Sequence, residues 1–396
     1  MVKLRHLHFK DFVGLQRGFD LPARKVRSGP YPVVGSTSII GHHDEWKVEP
    51  PGVVTGRSGS LGGVQYVEGR YWPHNTALWV KDFKGNLPKY VYYYLQTLNL
   101  ERFNSGAGVP TLNRNDLDTL EIDVHGTCEQ RKIAAILSAY DDLIENNTRR
   151  IKILEEMARA IYTEWFVNFR FPGHKKVKMV DSELGPIPEG WEIRRIGDVL
   201  QMTGGGTPPT DRPECWNGGH INWYTPSDLT SSGTMFMHES SKRITSKGLA
   251  NSSARLFQPH CVMMTSRATI GVVAINSTEA CTNQGFIVCI PNELASATQV
   301  YFWIKGGLDL ITSIASGATY KEISRSEFRE LPFPIAPVQV RRLWKQASVH
   351  IFRQVEILEA VNRNLRHTRD LLLPKLVSGE LDVSGLNAGI PHAPDV

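Results

Sequence analysis

Cysteine is scarce in this 396-residue sequence and its pattern is unproductive: Cys128, Cys215, Cys261, Cys281 and Cys289 form an odd set with no Cys-x-x-Cys pair. That excludes a disulfide framework and a zinc site of ordinary spacing, and predicts reduced, mostly buried thiols. Long apolar runs are missing too. The longest, Ile270 to Ile275 and Phe286 to Ile290, fall far below the ~18 residues needed to cross a bilayer, so no membrane is expected as a partner. The opening residues mix Lys3, Arg5, Lys10 and Asp11 with apolar positions and lack the apolar core of a secretion signal, which makes the cytoplasm the expected compartment. There is no Gly-x4-Gly-Lys-Ser/Thr loop for ATP, and neither Pro50-Pro51 nor Pro208-Pro209 sits in the Asp/Asn-Pro-Pro-aromatic context of an amino-methyltransferase. Nucleotide and methyl chemistry are therefore not encoded, no catalytic residue is nominated, and the chain is not expected to be an enzyme. Gly41-His42-His43-Asp44-Glu45-Trp46 looks like a metal cluster. Adjacent strand residues point to opposite faces, however, so a surface turn is the better reading and no metal is expected.

What is present is ordinary in composition. Hydrophobic residues make up 41% and charged residues 21%, as in a soluble globular protein, and the length suits two cores rather than one. The net charge of +5 permits a polyanionic partner without demanding one.

An internal repeat decides the architecture. Ser105-Gly106-Ala107, followed by Arg114 and Leu120, recurs as Ser316-Gly317-Ala318, followed by Arg325 and Leu331, 211 residues later. Leu112 matches Ile323, Asp116 matches Glu327, and Leu117 matches Phe328. Upstream, Thr55-Gly56-Arg57 echoes Thr265-Ser266-Arg267. The repeat thus spans a whole domain.

Each half ends in a helical pattern. Ile133, Leu137, Tyr140, Ile144, Asn147, Ile151, Leu154, Ala158, Ile161 and Trp165 follow a four-three spacing that reads as a coiled-coil seam. The second seam reads Trp344, Ala347, Ile351, Gln354, Leu358, Val361, Leu365, Thr368 and Leu372. Asn147 and Gln354 are single polar positions in these stripes; either they fix register and partner choice, or they sit by chance at a frayed edge. Two such helices can pair antiparallel, or each can pack on its own domain. The boundaries that follow are a globular domain over 1–126, a long helix over 127–170, a Pro/Gly-rich linker over 171–190, a second globular domain over 191–336, a second long helix over 337–380, and a flexible tail over 381–396.

Both globular halves combine short β-rich runs (Val53 to Thr55, Leu78 to Val80, Val262 to Thr265, Gly271 to Ile275, Gly285 to Ile290) with short helices at Leu87 to Leu98 and Ser296 to Trp303. The fold class predicted is α+β. Polar, aromatic and basic residues crowd the loops. Asn and Gln can pair bidentately with adenine edges and Arg with guanine edges or phosphates. The candidate DNA-contacting set is Arg57, Ser58, His74, Asn75, Arg114, Thr207, Trp223, Ser266, Arg267, Asn283, Gln284 and Lys321. Aromatics beside glycine serve equally well as core and turn residues. Gly204-Gly205-Gly206 can cradle a phosphate but lacks the ending of a nucleotide loop, so a tight turn is the better reading.

The order of these features resembles the specificity subunit of type I restriction-modification systems. Its carriers are Tyr31-Pro32-Val33-Val34-Gly35-Ser36 with Ile40-Gly41; Glu129-Gln130-Arg131-Lys132-Ile133; Ile187-Pro188-Glu189-Gly190-Trp191-Glu192; Gly205-Gly206-Thr207-Pro208; Thr282-Asn283-Gln284-Gly285; and Leu372-Leu373-Pro374-Lys375-Leu376. The resemblance implies two target-recognition domains separated by two long helices in an antiparallel coiled coil. It also implies double-stranded DNA as ligand, each domain reading half of a bipartite target. Partners would be two modification subunits that bind S-adenosylmethionine and methylate adenine N6, with restriction subunits that use ATP and magnesium; this chain would bind no cofactor itself. The Glu-Gln opening of the first helix becomes Val338-Gln339-Val340-Arg341-Arg342 at the second, which leaves the second seam's register open. The competing reading is a stand-alone coiled-coil DNA-binding regulator or repeat scaffold.

Overall fold

A computed structural model describes residues 4–183, 185–317 and 321–386; Ala318 of the repeat and residues 387–396 of the tail lie outside the described residues. The chain forms two compact units, 1–145 with 364–396, and 146–363. The first long helix, Thr127–Tyr162, ends in a π-helical turn at Thr163–Val167, and the second runs Val338–Val377. Each helix therefore gives one part of its length to each unit.

In the first unit an antiparallel sheet runs in the order Gly14–Arg17, Ala77–Asp82, Gly52–Gly56, Val64–Val67. Beside it, Tyr31–Val34 pairs antiparallel with Ile39–His43 and parallel with Trp72–Pro73. The second unit repeats the plan. Gln201–Thr203, Phe286–Ile290, Val262–Thr265 and Val273–Asn276 form the same antiparallel order, extended by Phe236–Met237, and Ile221–Tyr224 pairs with Lys242–Ile244 and Ala280–Thr282. The registers make the repeat quantitative. Val54 lies opposite Gln65 and Trp79, and Met263 lies opposite Ala274 and Val288, so every partner is displaced by 209 residues.

This register corrects the sequence alignment by one residue. Gly56 opposite Ala77 corresponds to Thr265 opposite Phe286, so Arg57 is equivalent to Ser266 and Ser58 to Arg267. The matching Thr and Arg letters pull a sequence comparison one step out of register. In a sheet that step would turn every inward side chain outward, so the strand pairing decides.

The helix seams are resolved unit by unit. In the first unit Ile133 and Leu137 are buried with Leu373 and Leu376, His125 Nε2 lies 2.9 Å from the Leu376 carbonyl oxygen, and Asp141 pairs with Arg369 at 2.6 Å. In the second unit Asn147 Nδ2 donates to Asn362 Oδ1 at 3.0 Å, and Tyr162 packs on Trp344 with ring centroids 5.9 Å apart. Rising numbers on one helix meet falling numbers on the other, so the pair is antiparallel. Ile144 is buried and Tyr140, Ile151, Leu154, Ile161, Ile351 and Leu365 are half-buried, while Trp344 and Leu358 are buried. Gln354 and Val361 are exposed, and Val355 and Asn362 take the seam in their place. Both phases of the four-three pattern are apolar enough to read as a seam. Burying Val361 would set a methyl group against the Asn147 amide, whereas Asn362 offers it a hydrogen bond, and an unpaired buried amide costs about 1–3 kcal/mol.

The two helix starts solve one problem with different residues. Gln130 Nε2 donates to the His125 carbonyl oxygen at 2.9 Å, and at the same place in the second unit Arg341 Nε donates to the Ala336 carbonyl oxygen at 3.0 Å.

The second long helix also holds a buried acid. The Glu359 carboxyl accepts the backbone N–H groups of Met235 and Phe236 at 2.9 and 2.8 Å. Burial outweighs these donors and pushes its pKa up to about 8. An acid raised in the folded state loses ground as pH rises, because the unfolded chain ionises first. Between about pH 4.5 and 8 the second unit should therefore lose on the order of 5 kcal/mol through this group. Thermal melts across that window are expected to show a steeper decline for the native chain than for Glu359→Gln; equal slopes would contradict the assignment.

Candidate nucleic-acid interface

In the first unit four loops meet at one end of the sheets. The strand Gly52–Gly56 delivers Arg57 and Ser58, whose backbone N–H groups both donate to the Thr76 carbonyl oxygen. Leu112 N–H donates to the Arg57 carbonyl oxygen at 2.8 Å, which brings in the loop before the helix Arg114–Asp118. Arg57 Nη1 donates to the Asn75 carbonyl oxygen at 3.3 Å, and no carboxylate pairs with Arg57 among the described residues. Asn75 donates to Asp20, and that hydrogen bond holds the Asp20 carboxyl below its usual range. His74 Nδ1 contacts Thr76 Oγ1 at 2.9 Å; burial keeps His74 below the usual histidine range, so it is a neutral hydrogen-bonding group at pH 7. Arg114 is exposed and Nη1 reaches the Leu15 carbonyl oxygen at 3.3 Å. Arg57, Ser58, His74 and Asn75 thus share one rim, with Arg114 beside the same loop.

The second unit builds an equivalent rim. Ile323 N–H donates to the Ser266 carbonyl oxygen at 2.9 Å, matching Leu112 and Arg57, and Asn283 N–H donates to Tyr224 as His74 N–H does to Val34. Arg267 Nη2 pairs with Glu322 at 2.9 Å, next to exposed Lys321. Thr207 Oγ1 donates to Gln284 Oε1 at 2.8 Å, both side chains being exposed, and Asn283 Oδ1 accepts from Gly285 N–H. Two nominated residues do not present side chains here. Trp223 is 5% exposed, packs edge-on against Trp216 and donates Nε1 to the Gly206 carbonyl oxygen at 2.9 Å, so it is core. Ser266 is buried as well. Both lie on or at the end of strands that carry the sheet, and polar loop neighbours disguise that.

The glycine run is packing. A side chain on Gly205 would meet the Thr282 carbonyl oxygen at 1.9 Å, and one on Gly206 would meet Ser253 at 2.0 Å. Only glycine lets these backbones approach. His43 is buried with Nδ1 at 3.1 Å from the Arg27 backbone nitrogen, and no metal-holding cluster occurs among the described residues. Four cysteines are buried and Cys128 is exposed; burial pushes the Cys261 thiol up to about 11 and the Cys281 thiol up to about 12. No helix among the described residues is long and apolar enough to cross a membrane.

Sequence reading missed the residues that hold the first rim rigid. Ser36 Oγ lies 2.7 Å from the Ser58 carbonyl oxygen and 3.0 Å from that of Thr76, and Asn104 Oδ1 accepts the N–H groups of Gly106 and Thr111. The signal for them is the small polar residue placed just before or after a glycine in each loop.

The fold and its two rims define a duplicated α+β protein that presents two loop-built polar surfaces. The chain belongs to the type I restriction modification DNA specificity domain family, which it matches over residues 9–156 and 188–367. It is 32% identical over 172 residues to the specificity subunit of the type I restriction enzyme MjaIX from Methanocaldococcus jannaschii, a match spanning 43% of this chain and 39% of that protein. With the HindI specificity subunit of Haemophilus influenzae it shares 22% identity over 330 residues, 69% of this chain and 71% of the other. The crystal structure of a type I restriction-modification S subunit from M. genitalium has the same fold, with a TM-score of 0.64 at 16% identity over 95% of this chain and 96% of that one.

Proposed function

We propose that this chain is the DNA-reading subunit of a type I restriction-modification complex, in which each unit's rim reads one half of a bipartite duplex target. The observation that carries this reading is the same loop cluster built twice on one strand register with different side chains: Arg57, His74 and Asn75 in one, Arg267, Asn283 and Gln284 in the other. Loops held by backbone hydrogen bonds are suited to placing Arg, Asn and Gln against base edges in the major groove, with lysine and arginine adding a salt-dependent term to phosphate. The paired helices set the gap between half-sites and dock two modification subunits. The first helix carries six basic and seven acidic residues over 129–165, a balance suited to protein contact rather than to tracking phosphate. Methyl transfer from S-adenosylmethionine and ATP- and magnesium-driven cleavage belong to the modification and restriction subunits, the chain itself is not catalytic, and the assembly works in the cytoplasm.

The test is to substitute one rim at a time in the chain assembled with its modification subunits. Arg57→Gln is expected to relax recognition in one half-site only, and Gln284→Ala in the other only, each by about tenfold, the scale of a bidentate base contact. Both variants altering the same half, or neither altering any, would overturn the reading. Co-purification with a methyltransferase separates it from a stand-alone regulator.

A further inference from the structure

The two rims carry unlike side chains at most equivalent places. By strand register Arg57 stands where Ser266 does, Ser58 where Arg267 does, His74 where Asn283 does and Asn75 where Gln284 does. In the loop that closes each rim, by contrast, the residues agree. Leu112 N–H donates to the Arg57 carbonyl oxygen and Ile323 N–H to that of Ser266. Two residues further on an arginine opens a short helix in both units, Arg114 in Arg114–Asp118 and Arg325 in Arg325–Arg329. Asn113 and Ser324 cap these helices alike, each accepting a backbone N–H with its side chain.

Both arginines reach the same strand. Leu15 lies opposite Val80 and Met202 opposite Cys289, partners again displaced by 209 residues, so strand Gly14–Arg17 is equivalent to Gln201–Thr203. Arg114 Nη1 donates to the Leu15 carbonyl oxygen at 3.3 Å, and the Arg325 guanidinium lies against Gly204, where an added Cβ would meet Nη2 at 2.2 Å. Each strand then runs on to the loop that bears the rim amide. Phe19 N–H donates to the Pro73 carbonyl oxygen at 2.8 Å, and Gly206 N–H donates to that of Thr282 at 2.9 Å. Both arginines are exposed, and among the described residues no carboxylate pairs with either, whereas Arg267 is held by Glu322. Two guanidinium groups thus stand at equivalent places beside two unlike reading surfaces.

A side chain that both rims share cannot tell unlike half-sites apart. What every half-site offers alike is its sugar-phosphate backbone, and the planar guanidinium matches a phosphate with two parallel hydrogen bonds. We infer that Arg114 and Arg325 are sequence-neutral phosphate anchors, each gripping the DNA backbone at its own half-site and so setting the register in which the unlike loops meet the bases. This rests on the reading of the rims given above.

The experiment measures binding of the chain, assembled with its modification subunits, to the target duplex and to a duplex without the target, from about 0.1 to 1 M salt. Losing one phosphate contact takes about 0.9 from the slope of log affinity against log salt. Arg325→Gln is therefore expected to bind about eightfold more weakly at the low end of that range and as well as the native chain at the high end, on both duplexes alike. Arg114→Gln is expected to do the same through the first unit, and it keeps the claim testable if Arg325→Gln does not fold. Arg325→Lys keeps the charge and is expected to keep the slope. A native slope in either glutamine variant that folds, or a loss confined to one base pair of the target, would overturn the inference; a lowered melting temperature with an unchanged slope would show only a tie between helix and strand. If Arg57→Gln relaxes a half-site and both slopes stay native, the anchors alone fail; if Arg57→Gln also changes nothing, the reading of the rims fails with them.

Discussion

Replacing Trp344 with alanine is expected to destabilise the second unit by about 3–5 kcal/mol, the usual cost of emptying a large aromatic site in a close-packed core. Trp344 is 1% exposed and sits near the start of the second long helix, within the second unit. Its ring meets Phe166 at 5.3 Å, Tyr162 at 5.9 Å and Trp165 at 6.1 Å, so one side chain ties the end of the first helix to the start of the second. Nε1 donates to Thr298 Oγ1 at 3.0 Å, which fixes the N-terminal turn of the helix Ala297–Gly306. Truncation removes the packing and strips a partner from that hydroxyl at once. Urea denaturation followed by circular dichroism should show the second unit melting early, whereas Val349→Ala, exposed on the same helix, should stay within about 0.5 kcal/mol of the native chain. Equal midpoints for the native chain and Trp344→Ala would contradict the packing described.

Much of the fold is legible in the sequence because it rests on periodicity. The four-three stripes locate both helices, and the β-rich runs at Val262 to Thr265 and Gly285 to Ile290 fall on strands Val262–Thr265 and Phe286–Ile290. Fine register is less legible. Val355 and Val361 are equally apolar letters, and only the need of Asn147 for a partner picks Asn362 over its neighbour. The one-residue offset that separates Arg57 from Arg267 is likewise invisible until the ladders are seen. The rims are half legible. Polar loop residues announce a surface, but burial of Trp223 and Ser266 depends on contacts with segments far away in sequence.

The two units carry unlike rims on one chain. Strand Ile39–His43 follows Tyr31–Val34 after a short turn, whereas its equivalent Lys242–Ile244 follows Ile221–Tyr224 only after the capped helix Pro226–Ser232, so the two half-sites should differ in sequence. The shared registers hold both rims on like scaffolds, while the side chains they carry differ. The most direct measurement is long-read mapping of N6-methyladenine in cells that express this chain with its modification subunits and in cells that lack the chain. Methylation is expected, only when the chain is present, at a motif of two unlike specified halves around an unspecified spacer of fixed length. A single continuous motif, two identical halves, or methylation that persists without the chain would contradict it.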